Sequence, residues 1–267
     1  MGYDMMIPIL LFTFVCGTMI GSFLNVCIHR IPLGVSIVFP RSHCPKCGHT
    51  LSLPELLPLI GFLLYRGHCR YCQDAVSPRY PLVELLSGFL WILLFYRFQV
   101  SFSFLCYTAF FSILLIVAFI DIQLYIIPNV LVLAALVPAA ASVIVHQFWP
   151  LAVYHDPRPL SPLLGLIPGS LFFLAIHLLS ALFRRGGQSI GMGDIKLFIP
   201  IGLILGFWQC VLAVFLAVLS GGLIGSFLLL LKKKKRKDRI PFGPFIVFGS
   251  FIALLIPISD LFSMFLP

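Results

Sequence analysis

The chain has 267 residues, of which 60% are hydrophobic and only 10% are charged, and its formal net charge at pH 7 is +9. Soluble domains carry roughly 25% charged residues, so this composition excludes a soluble enzyme, a disordered chain and a secreted disulfide-rich scaffold. Several apolar stretches approach the roughly 20 residues that cross a bilayer as a helix. We therefore predict an all-α polytopic membrane protein.

The apolar stretches predict about eight transmembrane helices. The first stretch is long for the core of a signal peptide and no small-residue cleavage site follows it, so we expect a retained span. Residues 197–231 could form one helix, but Gly206, Trp208 and Gln209 interrupt the run and divide it in two. The predicted spans are approximately 7–26, 82–96, 102–120, 129–148, 164–183, 197–207, 210–231 and 245–265.

Three parts of the chain follow from these spans. Residues 1–26 form the first transmembrane helix, residues 27–81 form a cytoplasmic segment, and residues 82–267 form a membrane helical bundle. Four glycine pairs with the spacing small-xxx-small predict close helix packing in this bundle and in the first span. They are Gly17/Gly21, Gly165/Gly169, Gly202/Gly206 and Gly221/Gly225.

The positive charges predict the orientation. With eight spans, all 18 lysines and arginines except Arg97 and Arg158 fall on one side of the membrane. Loops rich in Lys and Arg stay in the cytoplasm, so both termini are expected in the periplasm. The basic block at residues 232–237 directly follows a span, which favours a stop-transfer role or contact with anionic membrane lipid over nucleic-acid binding.

Two cysteine pairs in the cytoplasmic segment predict a metal site. They read Cys44-x-x-Cys47 and Cys69-x-x-Cys72, and a histidine precedes each pair. Two residues between thiolates allow one turn to present both sulfurs to a tetrahedral zinc ion, and four thiolates indicate a structural ion. The alternative is two disulfides, which a cytoplasmic segment disfavours because thiols stay reduced there.

The other cysteines and the nearby histidines have simpler interpretations. The histidines are expected beside the metal or at the surface and not as ligands, and the remaining cysteines as small core residues. These residues are His43, His49 and His68, and Cys16, Cys27, Cys106 and Cys210.

Asp121 and Asp194 stand out among the nine acidic residues because each adjoins an apolar stretch directly. An ionisable group at membrane depth is costly and is therefore a candidate functional group. In the eight-span arrangement both lie at cytoplasmic helix ends and can face each other at one depth. Facing carboxyl groups share a proton, so one can activate water while the other protonates a scissile carbonyl or a leaving amine.

Structural roles for these acids stay open from the residues alone. Each aspartate can cap a helix, and Asp194 can pair with a neighbour such as Lys196. Gly191 and Gly193 would allow a substrate backbone to approach Asp194 closely. Glu84 is a weaker candidate at the cytoplasmic rim of the second span, and Asp260 is expected at the outward end of the last span without a role.

Seven segments, taken in order, resemble one family. They are residues 21–26 with Arg30, and residues 44–49, 69–72, 79–86, 121–129, 191–197 and 241–245. In this combination the chain resembles the bacterial type IV prepilin leader peptidases, also called prepilin peptidase/N-methyltransferases. The resemblance covers nearly the whole chain.

The resemblance implies a membrane aspartyl peptidase of the G-x-G-D type, with Asp121 and Asp194 as the catalytic pair. Such enzymes of the bacterial inner membrane remove the basic leader from prepilins and from pseudopilins of type II secretion at the cytoplasmic face. Many then methylate the new N-terminal residue with S-adenosylmethionine, and the four-cysteine segment at 27–81 is typical of these bifunctional members. One departure is Gln123, at a position that is often charged in relatives.

The residues that bind the methyl donor are unknown from the sequence, because no glycine-rich loop of the soluble methyltransferases is visible. A peptidase without methyltransferase activity is therefore one alternative. A transporter with a structural zinc knuckle is another, disfavoured because transporters place ionisable groups near the bilayer midplane. A scaffold subunit of an export machine, with both aspartates structural, is the third.

Overall fold

The computed structural model describes residues 3–154, 156, 158–183, 191–233 and 238–256. Within these ranges the chain forms helices and no extended strand, which confirms the all-α prediction. The chain divides into two compact units, Met1–Thr108 and Ala109–Pro267. The predictions for Arg184, Arg185, Asp260 and residues 234–237 lie outside the described ranges.

Ten α-helices are present in the described ranges. The first unit contains the first four and the beginning of the fifth: α1 (Tyr3–Arg30), α2 (Leu53–Leu56), α3 (Ile60–Leu64), α4 (Arg79–Phe98) and α5 (Phe102–Leu124). The second unit contains α6 (Asn129–Phe148), α7 (Ser161–Leu164), α8 (Phe172–Phe183), α9 (Met192–Leu230) and α10 (Gly243–Leu255), together with a 3-10 turn at Ala152–Tyr154 and a π-helical turn at Ile167–Leu171.

Six helical stretches in the described residues are long and apolar enough to cross a membrane. They are Met6–Arg30, Arg79–Phe98, Phe102–Leu124, Asn129–Phe148, Ser161–Ser180 and Met192–Leu230. Helix α10 is apolar but shorter, with 13 residues described. The chain is therefore a polytopic helical membrane protein, and the count of eight spans stays a prediction.

Helix α9 is divided at the place where the sequence predicts a break. As one straight helix its 39 residues would measure about 58 Å, nearly twice the roughly 30 Å of the hydrocarbon core. Gly206 interrupts it with φ 73° and ψ −177°, a backbone conformation that favours glycine. Tyr154 stabilises the break, because its hydroxyl donates a hydrogen bond to the Leu203 carbonyl oxygen at 3.0 Å.

The predicted glycine pairs pack closely, with one exception. A Cβ atom on Gly21 would lie 2.7 Å from the Cα atom of Glu84 on α4. A Cβ atom on Gly165 would overlap the carbonyl oxygen of Gly202, so these two backbones are in direct contact. At Gly221 the nearest atom would be a side-chain carbon 3.3 Å away, and the packing there is looser.

Candidate active site and metal centre

Asp121 lies in the last turn of α5, where its side chain is 95% buried. The backbone N–H of Gly243, the first residue of α10, donates a hydrogen bond of 2.8 Å to its Oδ2 atom. The first N–H groups of a helix have no partner inside the helix, so they are available to a carboxylate. The start of α10 therefore holds the Asp121 carboxyl group in one orientation.

Asp194 lies in the first turn of α9, and packing positions this turn against the segment that follows α5. A Cβ atom on Gly193 would lie 3.1 Å from the Cβ atom of Ile127, so Gly193 is used for close packing. The Lys196 amine donates to Asn129 Oδ1 at 3.2 Å, which differs from the alternative of an ion pair with Asp194. Gly191 is exposed, and a Cβ atom there would lie 3.0 Å from Oδ2 of Asp194.

The structure brings the two predicted aspartates together. The Asp194 carboxyl group is close enough to Asp121 for their charges to interact. Two interacting carboxyl groups hold protons as a unit, which suits one group to removing a proton while the other donates one. This arrangement is capable of general acid–base chemistry at one end of α5 and α9.

The motif at residues 241–245 contributes to the family resemblance, but the sequence predicts no role for Gly243. In the structure its N–H group donates a hydrogen bond to the Asp121 carboxyl group, and a Cβ atom at this position would lie 2.8 Å from Oδ2. A glycine between prolines at the start of an apolar helix is the signal that could have pointed to it. Gly243 is therefore a positioning residue that analysis of side chains alone does not reveal.

The four predicted metal-ligating cysteines form one cluster. Their Sγ atoms all lie within 4.8 Å of one another, and those of Cys44 and Cys72 are 3.8 Å apart. A tetrahedral zinc site with Zn–S bonds of about 2.3 Å places its sulfurs about 3.8 Å apart. All eight cysteines of the chain are free thiols, so the structure contains neither disulfide of the alternative interpretation.

The first cysteine pair lies in a tight hairpin turn. The Cys44 N–H donates to the His49 carbonyl oxygen, the Gly48 N–H donates to the Cys44 carbonyl oxygen, and both bonds are 2.9 Å long. A single antiparallel bridge joins His43 to Thr50. Gly48 follows the second cysteine of the pair and has φ 71°, which glycine adopts without strain.

The second pair repeats this turn residue by residue. The Cys69 N–H donates to the Asp74 carbonyl oxygen at 2.8 Å, the Gln73 N–H donates to the Cys69 carbonyl oxygen at 3.0 Å, and a bridge joins His68 to Ala75. Gln73 occupies the position of the glycine, with φ 57°. The segment is therefore a doubled knuckle in which each hairpin supplies two thiols.

The histidines lie beside the thiol cluster and are not part of it. The Nδ1 atoms of His43 and His68 lie 2.9 Å and 2.8 Å from the carbonyl oxygens of Arg41 and Arg66, at equivalent places in the two hairpins. Each of these two histidines thus makes a polar contact that stabilises the start of its own hairpin. That the histidines do not ligate a metal ion stays a prediction.

Two thiols of the cluster differ in pKa, so they differ in how readily each gives up its proton to a cation. The backbone N–H group of Cys47 lowers the pKa of the Cys44 thiol to about 7. At Cys72 a backbone hydrogen bond at Asp74 opposes the change, but desolvation and hydrogen bonds with the other three thiols raise its pKa to about 12. A metal ion must therefore displace protons from the cluster as it binds.

Glu84 belongs to the first unit and is 93% buried on α4. Its Oε2 atom accepts a hydrogen bond of 2.8 Å from the Leu59 N–H, and Ser22 provides a further hydrogen bond. The carboxylate therefore connects α1, the start of α3 and α4. This placement gives Glu84 more contacts than the rim position that the sequence predicts.

Two family models match the chain. The model described as the bacterial peptidase A24 N-terminal domain matches residues 15–98, and that of the type IV leader peptidase family matches residues 108–226. No solved structure matches the chain significantly.

Several curated relatives are similar over almost the full length. A prepilin leader peptidase/N-methyltransferase of Bacillus subtilis (strain 168) is 37% identical, in an alignment that covers 91% of this chain and 92% of the relative. Proteins of the same name from Aeromonas salmonicida (strain A449) and Burkholderia pseudomallei (strain 1026b) are 30% and 31% identical, over 91% and 90% of this chain and 89% and 83% of the relatives. The chain belongs to the prepilin leader peptidase/N-methyltransferase family.

Proposed function

We propose that the chain is a membrane aspartyl endopeptidase that removes the leader from type IV prepilins and type II secretion pseudopilins, and then N-methylates the new N-terminal residue. The observation that carries the peptidase assignment is the placement of Asp121 and Asp194 at the ends of two helices, near enough for their charges to interact. The names of the relatives carry the methyltransferase assignment.

The two aspartates perform the hydrolysis as a pair. One carboxylate removes a proton from water, whose oxygen forms a bond to the scissile carbonyl carbon, while the other carboxyl group donates its proton to the carbonyl oxygen. The C–N bond then breaks as one hydroxyl of the tetrahedral diol returns its proton to the second carboxylate and re-forms the C=O bond. The leaving amine takes up the proton that the first carboxyl group removed from water. The Gly243 N–H group keeps one carboxyl group aligned during both steps.

The membrane arrangement explains how a substrate reaches this pair. The protein lies in the bacterial inner membrane with its basic loops in the cytoplasm and both termini in the periplasm, as the Lys and Arg distribution predicts. The apolar stem of a prepilin lies along the bundle while its basic leader stays in the cytoplasm. Contacts with anionic lipid involve the basic residues after α9, and no nucleic acid takes part.

The doubled knuckle holds one structural zinc ion through Cys44, Cys47, Cys69 and Cys72. The sulfur separation of 3.8 Å and the all-thiol donor set support this assignment. A four-thiolate shell leaves no open position for a substrate or water. The ion therefore stabilises the two hairpins and takes no part in hydrolysis.

The methyl group comes from S-adenosylmethionine. This donor supplies a methyl cation equivalent from its sulfonium to the free amine, whose lone pair forms the new C–N bond. The electron pair of the broken C–S bond stays on sulfur, and the amine loses a proton. A peptidase without this second activity is the remaining alternative.

The test uses the purified protein, a prepilin-like peptide with its leader, and S-adenosylmethionine labelled in the methyl group. Asp121→Asn and Asp194→Asn should each abolish leader cleavage, because asparagine keeps the size but cannot exchange a proton. The double variant should lose no more than either single variant, since the carboxyl groups act as one unit. Asp156→Asn, the same change outside the pair, should cleave normally.

Near wild-type cleavage by either single variant would remove that residue from the mechanism. A scaffold or transporter would show no cleavage in the wild-type protein either. Labelled methyl on the cleaved peptide separates the bifunctional enzyme from the peptidase alone.

A further inference from the structure

A cavity of about 640 Å³ lies within the first unit, between α1, α4 and the two hairpins. Its lining comes entirely from residues 22–84 and includes neither Asp121 nor Asp194. Cavities that bind small molecules usually measure roughly 300–1,000 Å³. This one is large enough for a ligand of nucleoside size.

Asn25 gives the cavity an unused hydrogen-bond acceptor. The side chain is 98% buried, and its Nδ2 atom donates to the carbonyl oxygens of Tyr80 at 3.0 Å and Gly21 at 3.4 Å. These two acceptors determine the orientation of the amide, because turning it over would place oxygen against oxygen. The Oδ1 atom is then buried without a hydrogen-bond partner.

A buried carbonyl oxygen without a donor is costly, and such groups in native proteins call for an explanation. Asn25 lines the cavity, so a ligand there is within reach of supplying the missing donor. The ligand should therefore carry an N–H or O–H group.

The charged side chains around the cavity indicate which charge a ligand there should carry. Acidic and basic side chains both line it, among them the buried Glu84 and Arg30. Glu84 accepts hydrogen bonds from Leu59 and Ser22, and a carboxylate has room for more than two donors. The Arg30 guanidinium donates hydrogen bonds to the carbonyl oxygens of Ser36 and Pro40. It therefore contributes to the cavity wall mainly through its position and less as a donor to a ligand.

Aromatic rings also line the cavity. Tyr65 and Tyr80 line the cavity, and the guanidinium of Arg79 lies 5.1 Å from the centre of the Tyr80 ring. Aromatic faces attract cations and stack on flat heterocycles. The lining thus suits a molecule that combines positive charge, hydroxyl or amine donors and a planar ring.

We propose that this cavity is the binding site for S-adenosylmethionine, which rests on the proposed methyltransferase function. The donor has an ammonium group and ribose hydroxyls for Asn25 Oδ1, a positive charge for Glu84, and an adenine ring for the tyrosines. Both hairpins also line the cavity through Cys44 and Cys69, so the metal centre supports its wall. A zwitterionic lipid headgroup shares the ammonium group but lacks the ring and the ribose.

The first test measures binding of labelled S-adenosylmethionine to the purified full chain by equilibrium dialysis, without any peptide substrate. The wild-type protein should bind about one molecule per chain. Glu84→Gln keeps an acceptor for the Leu59 N–H but removes the negative charge, and it should weaken binding at least tenfold. Ala75→Trp adds bulk to the cavity lining and should do the same. Asp156→Asn removes one negative charge from the second unit and should bind like the wild type.

A second measurement does not depend on any variant. Ultraviolet crosslinking of the labelled donor to the wild-type protein, followed by peptide mapping, should label peptides within residues 22–84. Added phosphatidylethanolamine vesicles should not displace the donor, and displacement would assign the cavity to lipid.

Unchanged affinity in both cavity variants, or label confined to peptides from residues 109–256, would overturn the site. If the wild type still methylates cleaved peptide in that case, the site is wrong while the proposed function stands. If the wild type neither binds the donor nor methylates, the methyltransferase assignment fails together with the site, and leader cleavage is judged separately by the aspartate variants.

Discussion

Gly243→Ala tests whether the backbone at the start of α10 controls Asp121, the aspartate that we propose to be catalytic. The added Cβ atom would lie 2.8 Å from Asp121 Oδ2, whereas ordinary contact begins at 3.4 Å, so the carboxyl group must move by about 0.6 Å. A misplacement of about 1 Å can cost roughly 100-fold in rate. We therefore expect kcat for leader cleavage to fall roughly ten- to 100-fold, or about 1.4–2.7 kcal/mol of activation free energy.

Stability should change little in this variant, because alanine is a better helix former than glycine by up to about 1 kcal/mol. Lost activity without lost stability is the expected signature of a displaced carboxyl group. The matched control is Gly222→Ala on α9, the same chemical change at a glycine with nothing within 4 Å of the new Cβ atom. Its cleavage rate should equal that of the wild type.

The assay combines steady-state cleavage of a prepilin-like peptide with thermal unfolding in detergent. A Gly243→Ala protein with the wild-type kcat would refute the reasoning, since Asp121 would then tolerate displacement or take no part in hydrolysis. A fall in kcat accompanied by an equal fall in the Gly222→Ala control would trace the loss to glycine replacement in general.

Three further predictions concern the metal, the packing and the orientation. Metal analysis of the reduced protein should find about one zinc ion per chain, and a Cys44→Ser, Cys69→Ser double variant should release it; a wild type without metal would disprove the site. Gly202→Ala would place a Cβ atom in overlap with the Gly165 carbonyl oxygen, so thermal unfolding should show a loss of about 1–3 kcal/mol, and an unchanged midpoint would contradict the contact. Reporter fusions after residues 232–239 should be cytoplasmic, and a periplasmic reporter there would overturn the eight-span arrangement.

Local features of the sequence predict much of this fold. The length of the apolar stretches predicts the helices, and the glycine and polar residues near position 206 predict the break in α9, because both depend on neighbours along the chain. The same holds for the thiol cluster, since two residues between cysteines determine each turn. The sequence does not predict the turns between Ser161 and Leu171, at the start of the predicted span 164–183. There Gly165 contacts Gly202, which is distant along the chain.

Contacts between distant residues account for what the sequence does not predict. Asp121 and Gly243 are 122 positions apart, and a backbone donor leaves no side-chain pattern to recognise. Asn25 and Tyr80 are 55 positions apart, so the unused amide oxygen becomes visible only when α1 packs against α4. The aspartate pair was predictable because each member is conspicuous by itself in an apolar sequence.

The doubled knuckle has a consequence for how the segment is inherited. Each hairpin contributes half of the thiols, so a chain that loses one cysteine pair keeps two sulfurs that cannot complete a tetrahedral shell. On the proposed zinc assignment, the surviving pair no longer holds a metal ion, and its exposed thiol, Cys47 or Cys72, is open to oxidation. Across descendants of this chain, the four cysteines should therefore be gained or lost together, and lineages with a single pair should be rare.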